Sequence, residues 1–203
     1  MAPALPGRAR HPFHPRLVRL THWINAAATM VLVASGLQIY NAAPILPFSF
    51  PDAITLGGWL GGALLWHFAA MWVMIANLML MLVYGLLTGR YRRRLLPLSP
   101  REAMADAGKA LRGKLDHQDL SRYNGVQRLM YAGVLALLVL VVASGLAIWK
   151  PVQLGWLTSM MGGFQSARAL HFLSMTCISI FLFIHLVMAL LVPRSLRAML
   201  RGH

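Results

Sequence analysis

Four long stretches of the chain contain no Asp, Glu, Lys or Arg: residues 21–51, 53–89, 129–149 and 169–193. Each is at least as long as the roughly 20 residues an α-helix needs to cross the hydrocarbon core of a bilayer. The pattern predicts four spans over about 17–40, 61–88, 126–149 and 168–192. Pro44, Pro47 and Pro51 separate the first two spans, because proline cannot continue a helix. The second span is longer than a bilayer requires, which predicts tilt or protrusion near its start, around Gly57, Gly58, Gly61 and Gly62. Residues 98–119 alternate charge with Ala and read as a short solvated or interfacial helix. The apolar run that follows Arg16 and Arg19 is long for the core of a secretory signal and reads as the first span.

Composition agrees with this reading. Of 203 residues, 58% are hydrophobic and 12% charged, and the mean hydropathy is +0.62, which excludes an ordinary soluble globule. The formal charge of +14 raises nucleic acid as a partner. The basic residues sit between the apolar runs instead of forming a groove-facing stripe with aromatics, so no nucleic acid is expected. Their distribution orients the chain. Seventeen of the 19 Lys and Arg lie before the first span, between residues 90 and 128, or from residue 194 onward, and only Lys150 and Arg168 lie on the opposite face. By the positive-inside rule both termini and the 89–125 connection are expected on the cytoplasmic side. The expectation is a single all-α transmembrane domain over 1–203, a polytopic four-helix bundle in the lipid bilayer.

A weak internal repeat runs through the spans. Val33-Ala34-Ser35-Gly36-Leu37 recurs as Val142-Ala143-Ser144-Gly145-Leu146, and Trp66-His67-Phe68 is matched by Leu170-His171-Phe172. Two helix pairs of similar design account for this, as do small residues at tight helix contacts. The single cysteine, Cys177, reads as a packing residue, and the 13 Met, scattered around the helices, read as flexible core and not as copper ligands.

Histidine carries the candidate chemistry. His11, His14, His117 and His203 lie in polar connections, whereas His22, His67, His171 and His185 lie within the spans, where a strongly polar side chain requires a partner. His22 and His185 fall at the cytoplasmic level, His67 and His171 near the outer face. His171 and His185 are 14 residues apart, about 21 Å along one helix and within roughly 40° of the same face. One helix therefore offers two imidazoles at two heights, and pairing them with His22 and His67 gives two bis-His sites stacked across the bilayer. Low-spin haem b is held by such pairs between helices of a bundle. Gly36, 14 residues after His22, puts a surface without a side chain at the outer level, as Gly145 does in the third span.

Arg19-x-x-His22-Trp23, His67, Tyr123-Asn124-x-x-Gln127-Arg128 and the His171/His185 pair together resemble the di-haem cytochrome b subunits of nickel-iron hydrogenases and respiratory formate dehydrogenases. The four-His pattern also occurs in a bacterial superoxide:quinone oxidoreductase. The resemblance covers essentially the whole chain. It implies two haems b per chain, with His22 and His185 as metal ligands of the inner haem and His67 and His171 of the outer one. It also implies membrane quinone as substrate beside the inner haem, in contact with Asn124, a residue that equally suits a helix N-cap. The segment 55–72 is most similar to members that serve periplasmic molybdopterin oxidoreductases.

Arg16, Arg19 and Arg168 are candidates to neutralise haem propionates, and the first two serve equally as positive-inside anchors. The leading expectation is an electron-transfer subunit that links quinone to a periplasmic redox subunit, a molybdopterin oxidoreductase or a hydrogenase. The alternatives are a free-standing superoxide:quinone oxidoreductase and a haem-free tetraspan transporter.

Overall fold

The computed structural model describes residues 16–89, 91–92, 98–111, 125–191, 196–197 and 199–200. Four long helices form where the uncharged runs lie: α1 (Arg16–Ala42), α2 (Leu60–Leu87), α4 (Gly125–Trp149) and α6 (Phe164–Leu191). Two short helices join them, α3 (Pro100–Leu111) and α5 (Gly155–Met160). Every long helix is apolar and long enough to cross a membrane. The hydrophobic side chains are arranged for lipid. Leu65, Leu86, Phe183 and Leu190 are exposed, whereas the buried positions are mostly small: Ala63, Ala70, Ser35, Ser144, Ala147, Ala167 and Ser174. Small residues let helix backbones approach closely where no hydrophobic force drives helices together, which is how helices pack inside a bilayer.

The helices form two antiparallel hairpins. α1 packs along α2 and α4 along α6, and the extensive contacts between long helices lie within these pairs. The hairpins meet through side chains. Tyr40 of α1 stacks on Phe172 of α6 with ring centroids 4.9 Å apart, and Trp149 of α4 meets Phe68 and Trp72 of α2. Two arginines add polar links at opposite ends. Arg168 donates to the Ala43 carbonyl beyond α1, and Arg19 donates to the carbonyls of Met199 (3.0 Å) and Leu200. The end at which α1 begins and α6 finishes is called the terminus end below, and the opposite one the connection end.

At the connection end, residues 43–59 fold back against the bundle with their polar groups matched. The Asn41 amide donates to the Phe50 carbonyl and accepts from its N–H, both at 2.8 Å, and the Leu56 N–H donates to the Ala34 carbonyl. Gly57 makes the turn into α2 at φ +114°, where a Cβ would lie 2.3 Å from the Ala63 nitrogen. This turn precedes the helix, which starts at Leu60, one residue before the predicted start of the second span.

Two features differ from the sequence reading. The connection between α4 and α6 contains α5, anchored by Thr158, whose hydroxyl donates to the Ala147 carbonyl at 3.1 Å. The last long helix begins four residues before Arg168, directly after Gly162 and Gly163, whose φ values of +81° and +93° make the corner. An arginine in the first turns of a helix does not interrupt it, so the edge of the uncharged run lies inside the helix. At the terminus end, α3 docks on the start of α4. Asp106 accepts the Gly125 N–H at 2.8 Å, placing a carboxylate at a helix N-terminus, and Glu102 pairs with Arg128 at 2.9 Å.

A candidate pair of bis-histidine sites

The structure brings the four intramembrane histidines together in two pairs. At the terminus end His22 of α1 faces His185 of α6 with ring centroids 6.0 Å apart and planes inclined by 66°. At the connection end His67 of α2 faces His171 of α6 at 6.4 Å and 62°. α6 supplies one ring at each level, the consequence of the 14-residue spacing.

These separations discriminate between metal chemistries. Two imidazole nitrogens each about 2 Å from a metal, on opposite sides of it, put their ring centroids on the order of 6 Å apart. Among the described residues no three or more His, Cys, Asp or Glu gather where they could hold a bare metal ion, which ordinarily takes about four protein ligands. An iron already held by four porphyrin nitrogens needs only an axial pair. The donor set and its spacing fit haem.

The connection-end pair is held by the repeat. Ser35 Oγ lies 3.1 Å from His67 Nδ1, and Ser144 Oγ lies 3.1 Å from His171 Nδ1. Each serine sends its own proton to the carbonyl one turn back, Ser35 to Val31 at 2.6 Å and Ser144 to Leu140 at 2.8 Å. The hydroxyl oxygen is thus left to accept from the ring. The Val141 carbonyl, 3.0 Å from His171 Nδ1, can only accept, so Nδ1 carries the hydrogen and Nε2 keeps its lone pair for a metal. Of the adjacent glycines, only Gly145 lies tight against its ring. A Cβ at Gly36 would sit 3.6 Å from His67 Cε1, and one at Gly145 would sit 3.2 Å from His171 Cε1.

The terminus-end pair has different surroundings. His185 stacks on Phe181, one turn before it on α6, at 5.8 Å and 17°, and His22 meets Trp23 edge-on. Beside them a buried polar link joins the first hairpin. Asn77 of α2 donates to the Thr21 carbonyl at 2.7 Å and to Asn25 Oδ1 at 2.6 Å.

The remaining predicted site residues fall in distinct places. Arg19 and Arg168 each precede a histidine of a pair by three residues, one helical turn; Arg19 also ties α1 to the Met199 and Leu200 carbonyls beyond α6, and Arg168 ties α6 to the Ala43 carbonyl after α1. Asn124 lies outside the described residues, and Gly125 after it begins α4. Sequence reasoning missed the roles of Ser35 and Ser144 at the rings, although the repeat that contains them was visible.

Comparison with known proteins bears on the same chemistry. Residues 14–202 match the family described as prokaryotic cytochrome b561. A protein of Azospira oryzae named putative protein-methionine-sulfoxide reductase subunit YedZ1 is 47% identical over 193 residues, covering 95% of this chain and 98% of the relative. That relative carries a sulfoxide reductase name, so the cytochrome b character of the resemblance holds more widely than its hydrogenase and formate dehydrogenase attribution. With four apolar spans, two facing imidazole pairs and a match along nearly its whole length, the chain belongs to the prokaryotic cytochrome b561 family, the haem b electron-transfer subunits of the inner membrane.

Proposed function

We propose that this chain holds two b haems, one above the other, and passes electrons between membrane quinone at the terminus end and a periplasmic redox subunit at the connection end. The observation that carries this reading is the pair of facing imidazoles at each level, 6.0 Å and 6.4 Å between centroids. Haem supplies single-electron chemistry, and the protein contributes position, orientation and electrostatics. His22 and His185 would hold the haem at one level and His67 and His171 the haem at the other. Arg19 and Arg168, one turn from a ligand, present guanidinium groups suited to propionates. Asn124, at the entry to α4, is the candidate hydrogen-bond donor to a quinone oxygen.

The name of the 47% identical relative supports a partner that reduces methionine sulfoxide in proteins. That reaction takes two electrons and two protons per sulfoxide, releases water, and draws electrons from the quinone pool toward the partner. The similarity of residues 55–72 to members that serve molybdopterin enzymes favours such an enzyme over a hydrogenase as the partner.

Purification in mild detergent, haem extraction and mass spectrometry of co-purifying chains test the reading. The expected result is two haems b per polypeptide and a soluble redox partner. A value near one haem with all four histidines intact rejects the stacked pair, and full superoxide:quinone activity without a partner rejects the subunit role. Asn124→Asp separates quinone contact from capping. An ionised carboxylate keeps the capping oxygen but cannot donate, so slowed oxidation of the reduced haem by quinone, at unchanged haem content, is expected from contact.

A further inference from the structure

We propose that Ser35 and Ser144 are matched positioning residues that set the redox poise of the iron held between His67 and His171, each accepting the Nδ1–H of one axial imidazole. The inference rests on the two-haem reading and adds to it a role for the repeat.

Both serines are fully buried, and neither needs the histidine for its own satisfaction. A serine inside a membrane helix ordinarily bonds the carbonyl one turn back, and both do. Nor is the hydroxyl needed for close packing, since Ala63, Ala147 and Ala167 fill equally buried positions of the same bundle. What distinguishes these two positions is the ring nitrogen 3.1 Å away. The arrangement occurs twice in the same register. Serine i lies with its carbonyl partners at i−4 and i−3 and a glycine at i+1, and a histidine arrives from the next long helix of the hairpin.

The direction of the effect follows from the proton positions. By donating to a carbonyl, each serine makes its oxygen a better acceptor. An imidazole whose Nδ1–H is held by such an acceptor gains imidazolate character and becomes a stronger donor at Nε2. A stronger donor favours ferric over ferrous iron, so the two serines, with the Val141 carbonyl as a second acceptor at His171 Nδ1, hold this haem at a lower potential than the same imidazoles would have without the hydroxyls. The same bonds fix rotation of each ring about its Cβ–Cγ bond and thereby maintain the 62° between the ring planes.

The test uses the full chain with its haems in nanodiscs, as Ser35→Ala, Ser144→Ala, the double variant, and Ser→Cys at each position. Cysteine is close to serine in size and is a weak acceptor. The readouts are spectroelectrochemical titration and the low-spin ferric resonance of each haem, the connection-end haem being the one lost in His171→Ala. With two haems retained, each single change should shift that haem toward the ferrous form by about threefold to tenfold, tenfold being about 59 mV for one electron. The double variant should shift it further and alter its resonance, leaving the other haem unmoved. Where an alanine variant sheds the haem, the cysteine variant gives the reading. Unchanged potential and resonance in the variants that keep both haems, or equal shifts of both haems, would overturn the inference. Fewer than two haems in the unmodified chain would instead reject the reading beneath it.

Discussion

The connection-end and terminus-end histidine pairs are built on different logic. Counting through the repeat, α1 corresponds to α4 at an offset of 109 residues and α2 to α6 at an offset of 104. His67 and His171 occupy equivalent positions, each with its serine and glycine on the preceding long helix. His22 and His185 do not. The counterpart of His22 is Tyr131, and that of His185 is Met81. One level is therefore two copies of a single device, while the other takes one histidine from the first helix of one hairpin and one from the second helix of the other. The polar surroundings differ accordingly. Asn77, which joins α2 to α1 beside His22, corresponds to Phe181, which stacks on His185. A repeat can thus preserve a symmetric ligand cradle at one depth while the same helices diverge at another.

The largest expected effect comes from removing one ligand at each level. His171→Ala should empty the connection-end site and His185→Ala the terminus-end site, each reducing haem content from two toward one per chain. The two variants should leave spectrally different single-haem proteins, because the surviving pairs have different neighbours. Loss of the same haem from both would show that the two depths had been assigned wrongly.

The legible part of this comparison was set by periodicity. A bilayer demands unbroken apolar runs, so four spans could be read directly, and a fixed rise per residue converts a 14-residue spacing into two depths. Gly36 and Gly145 could be placed at the connection-end level by the same count. The contacts of Ser35 and Ser144 with the rings could not, because a buried small residue at a helix contact and a hydroxyl beside an imidazole leave the same letter in the sequence. The bonds of Arg19 and Arg168 were hidden for a related reason. Their acceptors are backbone carbonyls, which every residue possesses. The six-residue α5 is too short for a hydrophobic period to declare itself.

A smaller effect tests how closely the two copies of the cradle match. An added Cβ would meet His67 Cε1 at 3.6 Å from position 36 but His171 Cε1 at 3.2 Å from position 145. The first is ordinary contact and the second requires the ring to yield. Gly36→Ala should be neutral or slightly stabilising, since alanine gains about 1 kcal/mol over glycine within a helix. Gly145→Ala should lose that gain to overpacking of about 1–3 kcal/mol, with reduced connection-end haem occupancy and a lower thermal midpoint in detergent. Equal behaviour of the two variants would mean that the cradle adapts equally well in both copies.

The smallest effect concerns the two arginines, where charge and tethering give different signatures. Each lies one turn before a histidine, Arg19 before His22 and Arg168 before His171, and each bonds backbone carbonyl oxygen, Arg19 at Met199 and Leu200 beyond α6 and Arg168 at Ala43 after α1. Arg→Gln removes the positive charge but retains an amide able to donate. If the guanidinium pairs with a propionate, losing it removes a positive potential that opposes the ferric state, so the potential of the adjacent haem falls. Arg168→Gln should then move only the connection-end haem and Arg19→Gln only the terminus-end haem, with shifts that shrink as salt is raised. If the arginines only tether the hairpins, both potentials stay fixed, and the loss appears instead as a stability change of about 1 kcal/mol or less in thermal unfolding. Redox titration of the two variants at low and high ionic strength separates these outcomes, and a shift confined to one level in each variant would assign one guanidinium to each haem.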